Sequence, residues 1–194
     1  MGEMFDRMFR GELHIADDPE IDALYARVQD QLEEYNGLSW RNDSRRDELL
    51  RELLREVGDG VVVRPRFFCE YGRVAIGDGS FVNADAVMLD GAEITIGSTC
   101  WLAPRVQLLT ATHVVDPVPR RAGWEYAKPI TLGDNVWLGG GAIVCPGVTI
   151  GDDTVVGAGA VVTKDLPAGV VAAGVPARVV REIGESDRVE VPRV

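Results

Sequence analysis

"PITLGDNVWLGGGAIVCPGVTIGDDTVVGAGAVVTKDL", residues 129–166, decides the fold. Leu132, Leu138, Val144, Ile150, Val156 and Val162 recur every sixth residue, and four places after each stands Val136, Ala142, Val148, Thr154, Ala160 or Leu166. Gly follows the aliphatic residue at Gly133, Gly139, Gly151 and Gly157. A period of six is too short for a helical repeat. It suits short strands separated by turns, each aliphatic side chain pointing inward onto its counterpart in the next coil. Three hexads complete a triangular coil, so the stretch specifies a parallel β-helix with stacked apolar ladders as its core.

Toward the N-terminus the count continues through Leu108, Leu102 and Ile96 and, after a two-residue slip, Met88, Val82 and Ile76, giving twelve aliphatic positions and about four coils. Ser80, Ala86, Ala92, Cys100, Val106 and Thr112 take the companion positions. From Leu108 to Leu132 is twenty-four residues, a multiple of six, so the break leaves the stack undisturbed. Residues 114–130 are predicted to leave the coil as a protruding loop. Its surroundings (His113, Asp116, Arg121, Trp124, Glu125, Tyr126) are polar and aromatic, unlike a plain connector, and long loops on rigid scaffolds commonly carry function.

Residues 17–58 read as two helices. Asp17 or Asp18 can cap the first, Pro19 suits its first turn, and Ile21, Leu24, Val28, Leu32 and Tyr35 form one stripe that Gly37 ends. The second starts at Asn42 to Ser44, with Leu49, Leu50, Leu53, Leu54 and Val57 as its apolar face and Gly58 as its C-terminal cap. The expected organisation is a helical segment over 1–58, a β-helix over 59–181 and a tail over 182–194.

At 194 residues and 46% hydrophobic, the chain can bury a real core. It contains no apolar run of membrane-spanning length, and its charged N-terminus lacks the apolar stretch of a signal peptide, so a cytoplasmic protein is expected. A net charge of -11 argues against nucleic acid or an anionic membrane as partner; a phosphate-bearing ligand needs a local cluster of cations. Cys69, Cys100 and Cys145 are odd in number and far apart, which suits buried apolar residues better than disulfides or a zinc site. Of the two histidines, His14 and His113, the second stands at the junction of coil and loop, where an imidazole can take a proton from a hydroxyl near neutral pH. The Gly139-Gly140-Gly141 run lets a backbone N–H approach a developing negative charge without side-chain obstruction.

The segments "FVNADAVMLD" (81–90), "TATHVVDPVPRRAGWEYAKPITLGDNVWLGGGAIVCPGVTIGD" (110–152) and "GAGAVVTKDLPAGVVAAGVPARVV" (157–180) resemble the maltose and galactoside O-acetyltransferase family. "MFRGELHIADDPEI" (8–21) and "FFCEYG" (67–72) resemble its maltose-type branch, and the match runs from about Met4 to Ile183. The resemblance implies a mainly β protein, a left-handed parallel β-helix with a helical N-terminal segment. It implies acetyl transfer from acetyl-coenzyme A to a hydroxyl of a sugar such as maltose or glucose, in a ternary complex with no acyl-enzyme. It also implies a homotrimer with sites between subunits, and no metal.

Residue by residue, His113 matches the general base, Asn83 the acceptor-binding asparagine and Gly140 the amide facing the thioester oxygen. Asp90, Glu125, Glu70 and Tyr71 match or adjoin acceptor positions, with Asp85 beside them. Trp137, Gly139, Ala158 and Thr163 match positions along the pantetheine arm, and Lys164, Arg178 and Arg181 those near the coenzyme's phosphates. Three positions depart from the pattern: Val114 stands for a proline, Ala84 for an aromatic residue and Asp85 for an asparagine. They leave the acceptor open, with an aminosugar, a lipo-oligosaccharide or a natural-product hydroxyl as alternatives, or a non-catalytic assembly subunit. A zinc anhydrase on this scaffold needs three histidines and fails on count.

Overall fold

The computed structural model describes residues 2–39 and 43–192. Three parallel sheets form the faces of a prism. The first stacks Glu56–Val57, Val74–Ile76, Ile94–Ile96, Ile130–Leu132 and Thr149–Ile150; the third stacks Phe68–Cys69, Val87–Leu89, Gln107–Leu109, Ile143–Val144 and Val161–Val162. The second runs Val62–Val63, Phe81–Val82, Trp101–Leu102, Trp137–Leu138, Val155–Val156 and Val170–Gly174, and closes with antiparallel Ala177–Glu182. The hexad residues meet in register, Ile96 on Leu132, Leu102 on Leu138 and Leu108 on Val144, and each is at most 1% exposed. This is the parallel β-helix that the sixfold period predicts.

The stack holds five strands on its first and third faces, one coil more than the expected four or so. Val57, Val63 and Cys69 are buried at the same spacing of six. Val57 is therefore a strand residue paired with Ile76, not part of a helix face, and Gly58 begins a coil corner. The helical period misled there because a helix, Asp43–Leu53 (α3), ends just before the first coil opens. The expected start at Asn42 lies outside the described residues.

The first expected helix is present as Pro19–Gly37 (α2), capped by Asp18, whose carboxylate accepts from the Glu20 N–H at 2.9 Å. An unexpected short helix, Glu3–Phe9 (α1), precedes it. α2 and α3 share one apolar core with the first coil, and the Tyr35 hydroxyl donates to the Val63 carbonyl at 2.7 Å. They cover an end of the stack that would otherwise expose a strand edge. Among the described residues no helix is long and apolar enough to cross a membrane.

The excursion begins earlier and ends earlier than predicted. Ala111–His113 and Trp124–Ala127 form an antiparallel hairpin, with a short helix Pro117–Arg121 (α4) between them, and His14–Ile15 adds a third strand. Ile130 is back in the stack, fully buried against Ile94. Thr112 consequently lies in the hairpin and is only half-buried. Thr110 takes the core position, its hydroxyl donating to Leu89 O at 2.6 Å and accepting from the Ala92 N–H at 3.0 Å.

Inward and outward residues of one strand should differ sharply in their worth. Leu132→Ala is expected to lower unfolding free energy by about 2–5 kcal/mol, whereas exposed Thr131→Ala stays within about 0.5 kcal/mol, measured by urea titration. Equal losses at the two positions would contradict the register.

Candidate active site

The hairpin sets the first group of candidate side chains. Its register aligns His14 with Glu125 and Glu125 with His113, so the three share one face of the small sheet. The Glu125 carboxylate reaches both rings: Oε1 lies 3.5 Å from His14 Nε2 and Oε2 lies 3.7 Å from His113 Nε2. His113 is exposed and His14 buried. An imidazole open to solvent with a carboxylate behind it can accept a proton and have the resulting charge stabilised.

Beneath the hairpin, Asp90 is fully buried and accepts from three backbone amides, those of Glu70 (2.6 Å), Tyr71 (3.0 Å) and Arg73 (2.6 Å). Burial raises its pKa against the opposing pull of those bonds. Asp90 thereby shapes the segment that presents Glu70 and Tyr71. Glu70 is pushed up to about 7 by burial and then by the charges of Asp90 and Glu125. Burial, with Glu70, Glu125, Asp90 and Tyr25 around it, also raises the Tyr71 hydroxyl, whose ring meets Tyr25 edge-on at 6.2 Å. Glu70, Tyr71, His14, Glu125 and Met8 are among the residues that line a cavity of about 40 Å³. That is room for about one water.

The second group lies along a different edge of the prism. His113 belongs to the excursion between the third and first faces, whereas Asn83 and Gly140 stand where the second face turns into the third. There Asp85, Arg105, Gly141 and Gly159 occupy left-handed backbone (φ 63° to 68°), and the amides of the last three donate to Ala84, Pro104 and Gly140 carbonyls one coil away. Neither Gly140 nor Ala158 has an acceptor for its own N–H among the described residues. Gly139 has a packing reason too, since a Cβ there would lie 2.5 Å from Ala158 N. The Asn83 side-chain oxygen accepts from the Ala84 N–H at 2.8 Å. Asp85 pairs through both oxygens with Arg66, an exposed ion pair that lowers its pKa.

Trp137 is half exposed and in register with Trp101, itself 5.7 Å from Phe81. The two indoles and Val155 border a groove of about 790 Å³ that ends at Gly169 and Ile183. Thr163 and Lys164 follow the last strand of the third face, and Arg178 and Arg181 lie on Ala177–Glu182, so these cations gather at the closing end of the stack. Arg181 is held by both oxygens of Asp187 at 2.7 Å. Sequence reasoning missed Trp101, although it occupies the same hexad position as Trp137, and the pairing of His14 with Glu125, which no local spacing signals. Among the described residues no group of His, Cys, Asp and Glu is arranged to hold a metal ion.

The raised Glu70 makes a stability prediction. Because its folded pKa lies above the ordinary 4.5, the folded state holds the proton more tightly, and stability is lost as pH rises from 4.5 through 7. Glu70→Gln should therefore gain about 1–3 kcal/mol more at pH 8 than at pH 4, read from urea unfolding at the two pH values. An equal effect at both would mean that the carboxyl is not displaced.

Residues 7–58 match the family described as maltose acetyltransferase hexapeptide capping motif, and residues 129–164 the bacterial transferase hexapeptide of six repeats. Nodulation protein L of Rhizobium meliloti is 46% identical over 175 residues, covering 90% of this chain and 96% of that protein. A crystal structure of a maltose O-acetyltransferase from Clostridium difficile 630 superimposes with a TM-score of 0.92 at 39% identity, covering 94% of this chain and 98% of the other. A galactoside acetyltransferase in complex with coenzyme A gives 0.92 at 37% identity, with 96% and 94% covered. With the β-helix, the helical cap and the histidine-bearing excursion all in place, the chain belongs to the maltose and galactoside O-acetyltransferase family of hexapeptide-repeat acetyltransferases.

Proposed function

We propose that the protein transfers acetyl from acetyl-coenzyme A to a hydroxyl of a sugar, maltose, glucose or a related glycoside, with His113 as general base. The observation that carries this reading is the exposed His113 imidazole with the Glu125 carboxylate 3.7 Å behind it. His113 takes the hydroxyl proton as that oxygen bonds to the acyl carbon and the C–S bond breaks; the proton then passes to the departing thiolate. Glu125 stabilises the imidazolium meanwhile. Glu70 and Tyr71 meet the acceptor's other hydroxyls.

The coenzyme supplies an activated thioester, and the residues of the second edge fit it. The unengaged Gly140 N–H faces the acyl oxygen and the unengaged Ala158 N–H the pantetheine amide, with Thr163 farther along. Trp137 packs against the arm, and Lys164, Arg178 and Arg181 meet the phosphates. Asn83 orients the acceptor.

His113 lies on one edge and Asn83 and Gly140 on another, so a complete site needs a second copy of the chain. A homotrimer, with each site between two subunits, brings the edges together. Light scattering should give three times the 21.1 kDa chain mass; a stable monomer with full activity contradicts the arrangement.

A thiol-release assay against a panel of sugars, an aminosugar and a lipo-oligosaccharide identifies the acceptor. In it His113→Ala should keep coenzyme binding while turnover falls about a hundred- to ten-thousand-fold. Near-normal turnover of that variant, or an acetylated enzyme by intact mass on the reaction path, would overturn the mechanism.

A further inference from the structure

The row His14, Glu125, His113 contains one histidine more than the chemistry above uses. Residues directly opposite in an antiparallel sheet hold their Cβ atoms about 4.5–5.5 Å apart, so a carboxylate between two imidazoles reaches both, as the 3.5 Å and 3.7 Å separations show. The two rings differ in surroundings: the His14 side chain is 4% exposed and that of His113 59%. His14 Nδ1 lies 3.0 Å from the Glu12 carbonyl. A carbonyl only accepts, so Nδ1 carries a hydrogen. In a neutral ring Nε2 would then turn a lone pair toward the Glu125 carboxylate; in a protonated ring it turns an N–H.

The charged and titratable groups around His14 are Glu125 on the returning strand, Arg7 on α1 and Glu12 in the connection, with Glu70, Tyr71, Asp90 and His113 beyond Glu125. Burial lowers its pKa, but the bond to Glu125, the Glu12 carbonyl and the Glu125 charge together raise it above the ordinary value, with Arg7 opposing them. The balance agrees with the protonated ring that the geometry calls for.

We propose that His14 is a positioning residue for acetyl transfer: it anchors Glu125 Oε1 so that Oε2 stays against His113, and its positive charge offsets that carboxylate. The inference rests on the reading of His113 as the base. A carboxylate alone beside His113 would hold the base protonated to higher pH and withdraw it from use. Charge shared with His14 leaves His113 free to accept a proton, while the carboxylate remains in place to stabilise the imidazolium as it forms. His14 acts through Glu125 and touches no reacting atom.

The test compares pH profiles of kcat/KM for the wild type, His14→Gln, Glu125→Gln and the double variant. Removing the positive charge should move the acid limb of His14→Gln to higher pH, by about half a unit or more. Glu125→Gln should move it lower, and in that background His14→Gln should add no further shift. An unmoved limb in His14→Gln, or the same shift in both backgrounds, overturns the inference. Since the chain has only two histidines, 15N-histidine spectra of the wild type provide a readout independent of how the variants fold. At pH 6.5, the ordinary imidazole value, His14 should be mostly imidazolium, and a mostly neutral His14 ring there is equally fatal. His113→Ala separates the two levels of the argument: persistent turnover removes the base itself, whereas lost turnover with an unmoved His14→Gln limb removes only the role of His14.

Discussion

Coil-on-coil stacking is the constraint on which everything else in this protein depends. Each strand bonds to the strand one coil away, at a spacing of about 4.8 Å, so a given hexad position recurs directly above itself through the prism. Inward, that repetition fuses Ile76, Ile96, Leu132 and Ile150 into one dry ladder. At the corners it brings backbones so close that Gly139 has no room for a Cβ. Outward, it aligns whatever a corner carries, which is how Gly140 and Ala158 come to hold unengaged amides one coil apart. A stack this regular can recognise an extended ligand at several points without any loop holding the pose.

The same rigidity lets the excursion leave and return. Thr110 and Ile130 stay locked in the core at its two ends, so the hairpin between them is free to take the composition that chemistry needs. What it carries is held from below by carboxylates. Asp90, spent on three amides, fixes the turn that presents Glu70, and Glu70 in turn sits high enough in pKa to be half protonated near neutrality. Protonated carboxyls and carboxylates side by side give the cavity both hydrogen-bond donors and acceptors.

The N-terminal segment does two jobs that its amphipathic pattern does not separate. α2 and α3 close the first coil, where Tyr35 reaches the Val63 carbonyl. The strand His14–Ile15 ahead of them instead joins the excursion, so the helical cap and the histidine-bearing hairpin are tied together through the backbone.

The sequence by itself determined the β-helix, because a hexad period is local information repeated twelve times, and it marked His113, Gly140 and the terminal cations by type and by resemblance. It misplaced Val57 and Thr112, since one residue fits a helix stripe and a strand ladder equally well until its neighbours in space are known. It gave no sign that Asp90 gathers three amides of the turn that carries Glu70 and Tyr71, since those contacts span seventeen to twenty residues. It gave no sign that His14 meets Glu125, because strand pairing across more than a hundred residues leaves no trace in local spacing. Only the tertiary structure, by fixing which strands lie side by side and which prism edge each residue occupies, decided those partnerships and set His113 apart from Asn83 and Gly140 within one chain.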